Sequence, residues 1–171
     1  MKKLLLALPL ILIFWGCKKD NPVGPLSYGQ GDDYAVYEKL LAEENSVNSF
    51  ILYDSTLAII SIDTNQVNYF LDNISGLEKE TVLDYAEKNK SKTKLNNIAN
   101  VNYIWASCAD SSVGQMAIIT LSSVGYNSNK TQAVMSFSIY WGPLAAHGSL
   151  VFFIKNGDTW EKKEELMLWI S

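Results

Sequence analysis

The stretch that decides the fold is TQAVMSFSIYWGPLAAHGSLVFFIKNGDTWEKKEELMLWI, residues 131–170. Three apolar or alternating runs, Thr131–Tyr140, Leu150–Lys155 and Thr159–Ile170, are separated by Gly142-Pro143…Gly148 and by Asn156-Gly157-Asp158. Asn-Gly between apolar runs is a strong hairpin signal, because both central positions of the favoured two-residue turn need a positive φ. Connections this short force antiparallel neighbours, since parallel strands need long crossovers. Upstream, Met116–Ser122 and Val101–Ala106 read as further strands, with the turn former Val124-Gly125-Tyr126-Asn127-Ser128-Asn129 between Ser122 and Thr131. The C-terminal half is therefore expected to be a curved antiparallel meander of about four to five strands.

Further toward the N-terminus the period changes. Tyr34, Tyr37, Leu40 and Leu41 fall on one helical face, with Asp32-Asp33 placed for an N-cap and first turn. Ser49–Ile62 reads as one or two strands or a hairpin, Thr64–Ile74 as a short helix ended by Gly76, and Glu78–Asn89 as another helix. Glu80, Asp84 and Lys88 recur at four-residue spacing, which reads as a solvated face with a favourable Asp84–Lys88 pair. Lys90–Asn100 is polar and lysine-rich, a loop. The expected class is α+β: N-terminal helices packed on one face of the meander, in a cystatin-like or cone-shaped arrangement.

The first residues describe a different kind of segment. Met1-Lys2-Lys3, the apolar run Leu4–Trp15 and Gly16-Cys17 have the layout of a secretory signal. The run is shorter than the roughly 20 residues that a spanning helix needs. Ile13-Phe14-Trp15-Gly16-Cys17 resembles the lipobox of bacterial lipoproteins, departing from it in the bulk of Phe14 and Trp15. That resemblance implies lipidation of Cys17, which becomes the first residue of the mature chain. Lys18–Gly31, KKDNPVGPLSYGQG, reads as a flexible tether. The expected organisation is a signal peptide at 1–16, a tether at 17–31 and one domain at 32–171, held to a membrane of the bacterial cell envelope on its periplasmic side or at the cell surface.

Composition excludes some functions. The mature chain would hold twelve lysines against eighteen acids, a formal charge of −6, and no arginine. An acidic surface repels polyanions, and Arg is the usual reader of phosphate and base edges, so nucleic-acid binding is disfavoured. With Cys17 lipidated, Cys108 stands alone and reads as a small buried hydrophobe. One histidine and one free cysteine do not make a zinc site, and no catalytic or phosphate-binding motif is present; no cofactor is expected. His147 with Ser149 or with carboxylates leaves a small hydrolase open as an alternative. The leading expectation is a non-enzymatic binding module for a protein, peptide or glycan partner, with an inhibitor or immunity role as a variant. Tyr140, Trp141 and His147, grouped around a Gly-Pro turn, are the candidate binding surface.

The C-terminal half also resembles a family of uncharacterised bacterial secreted proteins and lipoproteins. The matching residues are Ser122 or Ser123 with Val124-Gly125-Tyr126-Asn127, then Thr131-Gln132-Ala133, Trp160 and the closing Trp169-Ile170-Ser171. Asp84-Tyr85…Lys88-Asn89 and Asp54-Ser55-Thr56 are similar to two further elements of the family. Where members often carry a two-cysteine turn, Cys-Gly-x-Leu-Cys-Gly-x-Gly, this chain has Trp141–Gly148 with both cysteines replaced. The resemblance implies a fold and a location outside the cytoplasm, and no activity.

Overall fold

The computed structural model describes residues 30–44, 50–59, 62–106, 116–142 and 144–171. Cys17, Cys108 and most of the tether lie outside them. The elements run α1 (Asp32–Glu43), β1 (Phe50–Tyr53), α2 (Thr64–Asn73), α3 (Lys79–Lys88), β2 (Tyr103–Ala106), β3 (Ala117–Leu121), β4 (Gly125–Tyr126), β5 (Gln132–Gly142), β6 (Ala145–Asn156) and β7 (Thr159–Ile170).

The α+β class stands, with a larger and mixed sheet. Seven strands take the order β2-β1-β3-β5-β6-β7, with β4 paired to β5. The meander is present in β3, β5, β6 and β7, all antiparallel. The β6–β7 hairpin falls where the Asn-Gly signal places it, but its two central residues are Gly157, at φ +61°, and Asp158, with Asn156 paired to Thr159 as the last residue of β6. β1 departs from the expectation: it inserts between β2 and β3 and runs parallel to both. Chain neighbours β2 and β3 are therefore not sheet neighbours. The crossover from β1 to β2 carries α2 and α3, the long connection that parallel pairing demands.

The helices occupy both faces, not one. Alternate residues of β5 and β6 point to opposite sides. Met135, Phe137, Val151 and Phe153 meet Val36, Tyr37, Leu40 and Leu41 of α1. Val134, Leu150 and Phe152 meet Val67 and Phe70 of α2 and Val82 and Tyr85 of α3. α2 opens with a capping box, in which Asp63 accepts from Gln66 N (2.8 Å) and Gln66 Oε1 accepts from Asp63 N (3.0 Å). α1 has no side-chain cap; Gly31 stands at that position. Asp32 instead pairs with Lys130 and Lys155, each at 3.0 Å, tying the start of α1 to the β4–β5 turn and the end of β6.

The segment Ser122–Asn127 is where the two layers are locked. Gly125 lies so close to α3 that a Cβ built on it would stand 2.3 Å from Tyr85 N. Around this contact, Asp84 accepts from Tyr126 N (2.8 Å) and Lys88 donates to Val124 O (3.2 Å). The buried Asn89 amide accepts from Ser123 N (2.8 Å) and donates to Ser123 O (3.0 Å), pairing like a short strand. From the other layer, Tyr37 donates to Ser122 O (3.0 Å). Asp84 and Lys88 do form their ion pair at 2.9 Å, but they also grip β4, which a purely solvated face would not.

Two measurements check these assignments. Gly125→Ala must push α3 off the sheet, and overpacking of this kind costs about 2–3 kcal/mol; the thermal midpoint should fall by roughly 5–10 °C. Asp32 has its carboxyl held below the ordinary value of 3.8, first by hydrogen bonding to Lys130 and then to Lys155. A depressed folded value adds stability that is present above the unfolded pKa and lost as pH falls through the folded one. Asp32→Asn should thus lower the midpoint at pH 7, and the gap to wild type should narrow as pH falls below the ordinary value of 3.8.

Candidate binding surface

β5 and β6 form a long hairpin whose tip, Tyr140 to Ala146, stands at the end of the sheet opposite Asp32, because Lys130 and Lys155 lie at the other end of the same strands. β7 returns to this tip: His147 pairs with Ile170, and Ser171 exchanges backbone hydrogen bonds with Ala146. The register shifts between Tyr140 and Gly142, leaving Trp141 as the extra residue of a bulge.

The three residues singled out from sequence are divided by the sheet. Trp141 and His147 share the α1 face, with ring centroids 5.4 Å apart, and His147 meets Phe137 edge-on at 6.1 Å. Tyr140 points to the opposite face, in a row with Ile118, Ile51 and Ile104 across β3, β1 and β2. The surface is thus an end of the sheet with aromatic side chains on both sides. The surface read from sequence did not include Met167, Leu168 or Ile170 of β7. Gly148 sits under the indole of Trp169, whose Nε1 would lie 2.3 Å from an added Cβ. Trp160, at the far end of β7, is buried in the core.

Exposure marks this end off from the rest. Of the ten exposed large apolar residues among those described, seven belong to it: Tyr140, Trp141, Leu144, Met167, Leu168, Trp169 and Ile170. Leu144 is 89 % and Ile170 74 % exposed. No Asp, Glu or Lys occurs from Thr131 to Ile154 or from Leu166 to Ser171. Apolar patches of this kind on a soluble domain mark interaction sites.

The arrangement does not supply an activated serine. Ser149 lies two residues from His147 on the same face of β6, yet it is fully buried and its hydroxyl is directed to the Glu165 carboxylate. Nucleophile activation needs a base within hydrogen-bond reach. Glu165 is close by; burial pushes its carboxyl up, but Lys162 at 2.6 Å, the Ser149 hydroxyl and His147 outweigh that and hold it below its ordinary value. A cleft of about 240 Å³ opens elsewhere, between Asp33, Tyr34, Tyr37, Lys88, Thr93, Leu95 and Ser123, and does not include His147. Among the described residues no cluster of His, Cys, Asp or Glu is placed to hold a metal, and no helix is long and apolar enough to cross a membrane.

Gly148→Ala tests the seat of Trp169. The added methyl meets the end of a side chain that can swing away, so stability should change by less than about 1 kcal/mol. The displaced indole should shift tryptophan emission to the red, and the shift should vanish in a Trp169→Phe background. No family profile, curated protein or solved structure matches this chain.

Proposed function

We propose that the protein is an envelope lipoprotein, anchored by lipid on Cys17, whose α+β domain is a non-enzymatic interaction module presenting the uncharged end of its sheet. The observation that carries the anchor is Gly16-Cys17 closing an apolar run that follows Lys2-Lys3. Two or more acyl chains hold a protein stably on a bilayer, where one chain is marginal. Seven exposed apolar residues gathered at one end support the interaction reading. The full burial of Ser149 weighs against a His147-dependent hydrolase.

Intact mass of the membrane-extracted protein tests the anchor. The wild type should begin at Cys17 and carry added acyl mass, and Cys17→Ser should lose that mass and leave the membrane fraction. A soluble, unmodified wild-type chain would end the lipoprotein reading.

A further inference from the structure

We infer that the uncharged end of the sheet, built from Trp141, Leu144, Trp169 and Ile170, docks on the surface of a neutral lipid bilayer. Trp and Tyr suit the boundary between headgroups and acyl chains, where an apolar ring and a polar edge are both satisfied. Shape separates this occupant from others. The apolar side chains stand on both faces of a hairpin end, with Leu144 at its tip 89 % exposed. A glycan platform would need flat aromatics on one face among polar partners, and here aliphatic Leu144, Met167, Leu168 and Ile170 predominate. A deformable apolar medium buries such a tip completely.

Charge and chain length agree. With no Asp, Glu or Lys in its two segments, the end brings no acidic or lysine side chain to the lipid, while the acidic side chains of the rest of the chain stay in water. The chain enters the domain at Asp32, at the other end of the sheet. Fourteen residues, Lys18 to Gly31, separate that point from Cys17. They reach at most roughly 46–50 Å, and the twelve residues of β6 span about 40 Å. The anchor and the uncharged end can therefore touch the same bilayer. That last step rests on the anchor reading; the docking itself does not.

The test uses residues 17–171 with Cys17→Ser, which carries no acyl chain and keeps every contact described above. Floated with phosphatidylcholine vesicles at millimolar lipid, this chain should rise with the vesicles, equally at low salt and in molar NaCl. Leu144→Asp combined with Ile170→Asp should cut the floated fraction at least tenfold with an unchanged thermal midpoint. A Cys17→Ser chain that stays at the bottom overturns the inference, whatever mass the intact wild type carries on Cys17. So does a double variant that floats as well as wild type, or binding that needs anionic lipid and dissolves in salt.

Discussion

The approach of Gly125 to the backbone of Tyr85 is the constraint on which the rest of the molecule depends. Two polypeptide backbones can come this close only where one residue lacks a Cβ. Once they do, the side chains of α3 reach main-chain groups of the segment leading into β4: Asp84 to Tyr126, Lys88 to Val124, Asn89 to Ser123. The same segment is held from the α1 side by Tyr37. A short irregular piece of chain between β3 and β5 thereby joins the helices on both faces to the central strands. Several of its buried main-chain groups are satisfied by side chains, beside the short β4–β5 ladder.

This arrangement also gives physical content to the residues that looked family-like. Asn127 accepts from Thr131 N and Gln132 N and so closes the β4–β5 turn. Gln132 accepts from Glu78 N and donates to Gly76 O, fastening the start of α3. Asp84, Tyr85, Lys88 and Asn89 are the helix side of the same clasp, with Tyr85 donating to Ser136 Oγ at 2.8 Å. These motif residues have structural tasks, and what they imply is a fold and no chemistry. The uncharged end lies away from the clasp, on strands long enough to project it.

Much of the fold was legible where structure is local. Asn156-Gly157 marked its hairpin, Thr159–Ile170 matched β7, Thr64–Ile74 matched α2, and the period of Tyr37, Leu40 and Leu41 marked the buried face of α1, where Val36 and not Tyr34 completes it. What could not be read was set by contacts distant in sequence. The parallel seat of β1 depends on a crossover of about fifty residues, and nothing in the four residues FILY states which strands flank them. The two-faced helix packing follows from that crossover. At the surface, Tyr140, Trp141 and His147 were visible as aromatics beside a turn, but their division between faces came from a bulge that turn chemistry does not announce. Trp169 and Ile170 joined them only because β7 pairs along the whole of β6; the signal available was the uncharged, apolar close of that strand.

Amide hydrogen exchange on the native protein tests the clasp most directly. If it is the keystone, the amides of Ser123 and Tyr126, whose acceptors are the side chains of Asn89 and Asp84, open only with global unfolding. They should then be as protected as the amides of Val134 and Leu150 at the centre of the sheet. Exchange at Ser123 and Tyr126 faster by orders of magnitude, with β5 and β6 still protected, would show that the layers hold together without the clasp and would contradict the account.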